Sequence, residues 1–236
     1  CDEDLWTCVQ APSPSRLVMR LAAGLCRRVA ERESDAEILR EFERRTTSML
    51  GTGSAAKIDT AEVAWAGVAG ALVEVVAYTC ARCPFCSKSV PGIHRAVSTG
   101  ALEGKARLGV RIFPVKGHPH SAEAGVAFQA ALQLGRFWPY LLAAYEGFDA
   151  FSEGKLSEWA AETGLERGAF EGACKDPKTR RRVVDAKKEG LRNRVKATPT
   201  YFINGKLYSA DLSDWALSDA VLEEFERVSG TLCEPE

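Results

Sequence analysis

The stretch LVEVVAYTCARCPFC, residues 72–86, decides the fold. Its first eight residues are rich in β-branched and aromatic side chains and almost uninterrupted in apolarity, which predicts a strand buried on both faces. Three cysteines follow at once, spaced C-x-x-C-x-x-C: Cys80, Cys83 and Cys86. A helix is expected to begin at Pro84, because a proline in the first helical turn loses no hydrogen bond. The stretch therefore predicts a cysteine cluster at the junction of a strand and a helix.

Three kinds of site use cysteines at this spacing. An iron–sulfur run requires a fourth cysteine at position 90, where the chain has Val90. A zinc site would have to recruit His94, and no second C-x-x-C follows to complete four ligands. A redox pair explains more of the pattern, so we predict no metal.

The start of a helix favours redox chemistry at a cysteine. Unpaired backbone N–H groups and the positive end of the helix dipole stabilise a thiolate there, which lowers the thiol pKa and makes the sulfur a nucleophile. A second cysteine one turn further along is placed to resolve a mixed disulfide. Pro84 favours Cys83 and Cys86 as this pair.

Composition excludes several other classes of protein. The chain has 236 residues, with 31 Lys and Arg against 32 Asp and Glu, so it lacks the basic excess of a dedicated nucleic-acid binder. Hydrophobic content of 46% and charged content of 27% are ordinary for a folded globular protein. The most apolar window runs only from Val63 to Val73, well short of the roughly 20 residues that a bilayer span needs.

Periodicity and turn signals give the order of elements along the chain. Residues 1–50 are expected to form a helical hairpin, whose second helix begins at the capping box Ser34 to Glu37. The remaining expected elements are a linker at 51–57, strands at 72–79, 106–115, 200–203 and 206–208, helices throughout 121–195, and a last helix capped by Ser213. Asn204-Gly205 predicts a two-residue hairpin, because both residues tolerate positive φ.

The cysteine segment resembles the thioredoxin superfamily. VVAYTCARCPFC, residues 75–86, is similar without a gap to the glutaredoxin strand and active site, and Pro91 matches the proline that kinks the following helix. TPTYFING, residues 198–205, resembles the segment that carries the superfamily's cis-proline. Residues 117–138, GHPHSAEAGVAFQAALQLGRFW, resemble the helical insertion of the DsbA-like branch.

This resemblance implies an α/β protein with a thioredoxin fold, an inserted α-helical domain and an N-terminal helical extension. The implied boundaries are 1–50 for the N-terminal hairpin, 56–115 and 197–230 for the thioredoxin core, and 116–196 for the insertion.

The resemblance also implies roles for individual residues. Cys83 would be the attacking, exposed sulfur and Cys86 the buried resolving one. Pro199 would be in cis beside the cysteines, and Thr198 would offer backbone hydrogen bonds to an extended substrate. Phe85, between the two cysteines, would contribute to substrate binding.

Two departures from the family pattern leave alternatives open. DsbA proteins have histidine where this chain has Phe85, which leaves the oxidising strength open. Related branches keep a buried acid six residues before the nucleophile, and Glu74 stands six before Cys80, which supports a rival pair of Cys80 and Cys83. Cys80 is otherwise a third redox-active thiol or a small buried apolar residue.

The expected function is thiol–disulfide exchange with protein cysteines, in a direction that the sequence leaves open. No cofactor is expected, because the cysteines carry the electrons. The expected partners are cysteine-containing proteins and a redox partner protein, with no nucleic acid, and the chain is expected to be monomeric. The alternative is a metal-binding or chaperone-like module on the same fold that uses the three-cysteine cluster.

Remaining cysteines and histidines give weaker expectations. Cys8 is expected to form a structural disulfide with Cys26. Cys1 would be the lipid-bearing residue of a bacterial lipoprotein, or simply the first residue, and the expected location is extracytoplasmic (the bacterial periplasm). His118 and His120 lie in a loop where exposed histidines are common, so no role is predicted for them.

Overall fold

A five-stranded sheet forms the centre of the computed structural model, which describes residues 4–49 and 55–231. Its strands are β1 Trp65–Gly67, β2 Val73–Thr79, β3 Ala106–Ile112, β4 Thr200–Ile203 and β5 Lys206–Tyr208. They lie in the order β1-β3-β2-β4-β5. β2 and β3 run parallel, whereas β1 pairs with β3, β4 with β2 and β5 with β4 in antiparallel fashion.

Helices precede, interrupt and follow the sheet. They are α1 Leu5–Val9, α2 Arg16–Ala30, α3 Asp35–Met49, α4 Pro84–Thr99, α5 Ser121–Gln133, α6 Phe137–Glu146, α7 Glu153–Glu162, α8 Arg167–Lys175, α9 Pro177–Arg192 and α10 Asp214–Ser229. α4 connects the parallel strands β2 and β3, and α5 to α9 lie between β3 and β4. This is the mixed α/β thioredoxin fold predicted from the sequence, although the domain boundaries stay a prediction.

The local signals that set the sheet are present in the structure. Every residue of β2 except Glu74 is buried, as its apolarity predicts. Asn204 and Gly205 have φ of 47° and 76°, the left-handed values that a tight hairpin between β4 and β5 requires. β1 was not predicted, because three residues at a sheet edge give no periodic pattern.

The helical insertion is fastened to the sheet by a buried carboxylate on α9. Glu189 accepts hydrogen bonds from the Tyr78 hydroxyl at 2.7 Å, the Arg111 Nε at 3.0 Å and the Asp59 backbone N–H at 2.8 Å. Arg111 and Glu189 are each less than a tenth exposed. The insertion is therefore held at one position relative to β2 and β3.

Charged side chains join the N-terminal helices to α10. The predicted capping box is confirmed, since the Glu37 carboxylate accepts from the Ser34 backbone N–H at 2.8 Å. Arg20 pairs with Glu226, and Arg45 pairs with Glu223. No residue from 4–49 belongs to either apolar cluster of the described residues.

The predicted Cys8–Cys26 disulfide is wrong. Cys26 is a free, exposed thiol, whereas Cys8 is engaged in a disulfide. The buried positions of α2 are Gly24 and Arg28, one helical turn apart, and Cys26 lies midway between them in sequence. Since a helix turns about 100° per residue, the Cys26 side chain points to the opposite, solvent-facing side.

Some expectations concern parts of the chain that are not described. Cys1, with its expected lipid, and residues 51–54 of the expected linker lie outside the described residues. Within 4–49 and 55–231, no helix combines the length and apolarity needed to cross a membrane.

We expect acid to destabilise the packing of α10 against the β4–β5 hairpin. Burial alone would raise the pKa of Glu224, but hydrogen bonds from Arg227 and Asn204 outweigh it and lower the pKa below its usual 4.5. A lowered folded-state pKa contributes stability above the unfolded-state pKa, and this contribution is lost as the pH falls through the folded-state value. Urea unfolding between pH 7 and pH 3 should therefore show a fall in the free energy of unfolding that is smaller in Glu224→Gln. An equal fall in both proteins would contradict the assignment.

Candidate active site

Cys83 lies at the junction predicted from the sequence, as the N-cap of α4. Its backbone is extended, with φ −99° and ψ 121°, and Pro84 begins the helix. The Cys83 thiol donates to the Thr198 carbonyl oxygen at 3.1 Å. The residue is only 1% exposed, so the expectation of an exposed sulfur is wrong. The contact with Thr198 turns the sulfur inward.

The two sulfurs of Cys83 and Cys86 have opposite electrostatic surroundings. A hydrogen bond from Cys86 lowers the pKa of Cys83 to about 5, against the opposing effect of burial. Thr198 and the backbone N–H groups of Phe85 and Cys86 add to this lowering. Burial raises the pKa of Cys86 well above 9.0, and the hydrogen bond to Cys83 adds to that rise. Cys83 is therefore the thiolate of the pair and Cys86 the protonated thiol.

The buried hydroxyls of Thr79 and Tyr145 lie next to each other near Cys86. A hydrogen bond from Thr79 to Cys86 offsets part of the effect of burial on the Cys86 pKa. The Thr79 hydroxyl also lies 2.7 Å from the hydroxyl of Tyr145, which donates to the Cys80 carbonyl at 3.3 Å. These contacts tie the end of β2 and the start of α4 to α6 in the insertion.

The segment before β4 faces the cysteines. The Thr198–Pro199 peptide bond is cis, and both residues are buried. The Thr198 Oγ1 is buried without a hydrogen-bond partner among the described residues, and Thr198 helps to lower the pKa of Cys83. Phe85, by contrast, is 69% exposed beside the pair.

Cys80 contacts a histidine for which the sequence predicted no role. Its sulfur is 3.4 Å from Nδ1 of His118, which is half-buried. Burial raises the pKa of Cys80, while backbone N–H groups of Val115 and Arg82 act against this rise. The neighbouring His120 pairs instead with Glu153 at 3.1 Å. The loop after β3 folds back and brings His118 to Cys80. No local sequence pattern predicts this contact, because the two residues are 38 positions apart.

Glu74, the acid that supported Cys80 and Cys83 as the redox pair, does not lie near the cysteines. Glu74 is the second residue of β2, and its partly exposed carboxylate pairs with Arg107. At about 3.3 Å per strand residue, it lies roughly 20 Å along the chain from Cys80. It therefore cannot act as a buried acid beside the cysteines.

Across residues 4–49 and 55–231, no group of three or more His, Cys, Asp or Glu side chains is arranged to hold a metal ion. The Cys80 sulfur contacts His118, whereas the Cys86 sulfur hydrogen-bonds to Thr79 and to the backbone N–H of Cys80.

Comparison with known proteins agrees with this geometry. A family model described as thioredoxin matches residues 59–223, which span both cysteines and Pro199. The chain belongs to the thioredoxin family. The match leaves the N-terminal helices of residues 4–49 outside the thioredoxin unit.

Solved structures share the DsbA-like form of the thioredoxin fold. Oxidised BdbD from Bacillus subtilis aligns with a TM-score of 0.63 at 17% identity, over 73% of this chain and 97% of that one. The thiol-disulfide exchange protein alpha-DsbA2 from Wolbachia pipientis aligns with a TM-score of 0.60 at 17% identity, over 81% of this chain and 99% of that one. At these identities the likeness shows the fold, and it confirms the predicted thioredoxin fold with its insertion.

Curated relatives are longer proteins. The chain is 30% identical to the Na(+)/H(+) antiporter NhaA of Herminiimonas arsenicoxydans over 160 residues, which make up 68% of this chain and 24% of the relative. The chain spans about a quarter of the length of the curated relatives it matches.

Proposed function

We propose that the protein is a thiol–disulfide oxidoreductase that acts on protein cysteines through Cys83 and Cys86. The observation that carries this proposal is the position of Cys83 at the N-cap of α4 in contact with Thr198, with Cys86 buried one turn further along the helix. The lowered pKa of Cys83 and the raised pKa of Cys86 fit an attacking and a resolving thiol. Membership in the thioredoxin family and the DsbA-like fold support the same activity.

The chemistry follows from these two roles. In the reducing direction the Cys83 thiolate attacks a substrate disulfide, a Cys83–substrate disulfide forms, and one substrate sulfur leaves as a thiolate. Cys86 then loses its proton and attacks Cys83, which closes the Cys83–Cys86 disulfide and releases the second substrate thiol. Two electrons pass to the substrate, and the oxidising direction reverses these steps.

The substrate site proposed here consists of Phe85, Thr198 and Pro199. Phe85 offers an exposed apolar ring next to the reacting sulfur. Thr198 and Pro199 precede β4, where an extended peptide would pair with the backbone of Thr198. The contact between the Thr198 carbonyl and Cys83 would bring a substrate cysteine held by this backbone to the attacking sulfur.

We also propose an extracytoplasmic location. Cys8 is engaged in a disulfide, and such bonds persist in oxidising compartments such as the periplasm. A second redox protein would then restore the Cys83–Cys86 pair after each turnover.

The proposal predicts a thiolate at Cys83 in mildly acidic solution. In the reduced protein, the alkylation rate of Cys83 with iodoacetamide should be half-maximal near pH 5, following its lowered pKa. An ordinary cysteine reaches half-maximal rate near pH ~8.5. Mass-spectrometric mapping of the alkylated peptides measures each cysteine separately, and thiolate absorbance at 240 nm gives an independent titration.

Cys83→Ser supplies the control, because it should remove the acidic transition in thiolate absorbance. Reduction of insulin by the wild-type protein, followed by turbidity, tests the exchange activity itself. A Cys83 titration near pH ~8.5 together with no reduction of insulin would rule out the proposed function.

A further inference from the structure

A turn brings Cys80 and Cys83 close enough to form a disulfide. The Cys83 backbone N–H donates to the Cys80 carbonyl at 3.1 Å, which closes a four-residue β-turn. In such a turn the first and last Cα atoms are less than ~7 Å apart. Disulfides usually join Cα atoms separated by about 4.4–6.8 Å, so the turn has a suitable span.

The Cys80 sulfur has partners that suit a nucleophile. His118 Nδ1, at 3.4 Å, can accept the thiol proton, and backbone N–H groups of Val115 and Arg82 hydrogen-bond to the sulfur. A sulfur used only for packing needs none of these polar contacts. Cys80 is fully buried and lies next to Cys83 within the fold, so the partner that the geometry offers its sulfur is Cys83.

We propose that Cys80 is a second resolving thiol for Cys83, with His118 as its general base. The inference rests on the proposed function of Cys83 as the attacking sulfur. In the step, the Cys80 proton passes to His118 Nδ1 and the Cys80 sulfur attacks Cys83 in a Cys83–substrate disulfide. The Cys80–Cys83 bond forms, the Cys83–substrate bond breaks, and the substrate thiolate leaves and takes up a proton. The substrate is reduced by two electrons and the cysteine pair is oxidised by two.

A consequence is that Cys83 has two possible intramolecular partners. Cys86 can attack Cys83 in the Cys80–Cys83 disulfide, which yields Cys83–Cys86 and returns Cys80 to the thiol. A substrate that hinders attack by Cys86 would still be released through attack by Cys80.

The test uses Cys86→Ser and the tryptic map of the chain. Trypsin cuts after Arg82, so a Cys80–Cys83 disulfide joins two peptides, residues 58–82 and 83–88, whereas Cys83–Cys86 lies within one peptide. Reduced Cys86→Ser is treated with oxidised glutathione, and the product is mapped without reduction. We expect the joined peptides to form, and glutathione to leave about 100-fold faster than from Cys80→Ser/Cys86→Ser, because the attack is intramolecular.

His118→Gln tests the base, with His120→Gln as a matched control on the same loop. We expect glutathione release from Cys86→Ser to slow at least about tenfold at pH 7 with His118→Gln and to stay unchanged with His120→Gln. Without the base, the rate should follow the fraction of Cys80 thiolate and fall with each pH unit throughout the neutral range, because burial raises the pKa of Cys80. The groups facing Cys80 in this titration are Arg82 and Cys83 on its own loop, His118 after β3, and Tyr145 on α6.

Wild-type protein in a glutathione buffer provides a measurement independent of any variant. We expect a minor fraction of the joined peptides beside the internal Cys83–Cys86 disulfide. If wild type forms the internal Cys83–Cys86 disulfide but neither wild type nor Cys86→Ser forms the joined peptides, the role of Cys80 is overturned and the proposed function stays intact. Failure of wild type to form either disulfide would overturn both.

Discussion

Replacing Cys83 with serine is expected to abolish thiol–disulfide exchange. The thiolate at the start of α4 is the attacking group in the proposed reaction, and a serine hydroxyl stays protonated near neutral pH. The rate of insulin reduction should fall by about 10³-fold or more, to that of the reaction without protein, as expected when a nucleophile is removed.

Two other variants make this result specific. Cys80→Ser/Cys86→Ser should accumulate Cys83–substrate disulfides that are visible on non-reducing gels, because both proposed resolving thiols are gone. Cys174→Ser is the matched control, since Cys174 is a free cysteine on α8 whose pKa burial raises to about 11. Its activity should equal that of wild type. Full activity in Cys83→Ser, or equal loss in Cys174→Ser, would contradict the site.

The largest effect on stability is expected from Glu189→Ala. The change leaves Arg111 buried without its carboxylate and also removes the acceptor for the Tyr78 hydroxyl. Breaking one side of a buried ion pair typically lowers the free energy of unfolding by about 3–5 kcal/mol, because an uncompensated charge remains. Urea unfolding followed by tryptophan fluorescence and far-UV circular dichroism measures this loss.

Glu171→Ala is the matched control for this prediction. Glu171 forms an exposed i, i+4 pair with Arg167 at 2.8 Å, a type of pair worth only about 0.3–0.5 kcal/mol. A similar loss of stability in both variants would mean that the buried contacts of Glu189 contribute no more than a surface pair.

Much of the fold follows from short-range signals in the sequence. The apolar run of β2, the Asn204-Gly205 turn and the caps at Ser34 and Ser213 each have a local physical cause, and each is present as predicted. β1 was missed because its three residues acquire strand structure only by pairing with β3. The edge of a sheet is set by tertiary contacts rather than by the residues themselves.

The site was less predictable than the fold. The positions of Cys83 and Cys86 on α4 follow from helix-start chemistry, which is local. The burial of Cys83 depends on Thr198, 115 residues away in sequence, and the contact of Cys80 depends on the loop that carries His118. The Cys8–Cys26 prediction failed for a related reason, since it did not take into account which face of α2 is buried.

The charged attachment of the N-terminal helices has a consequence for local opening. α2 and α3 pair with α10 through arginine–carboxylate contacts, while the apolar clusters lie within the thioredoxin unit. These helices can therefore separate from α10 with a free energy smaller than that of global unfolding, because the separation exposes few buried apolar residues, such as Ile38, and leaves both apolar clusters intact. Arg28, which also lies over Trp215, couples this opening to the start of α10. The N-terminal helices are thus expected to open before the sheet unfolds, because ion pairs join these helices to α10 and the large apolar clusters lie in the thioredoxin unit.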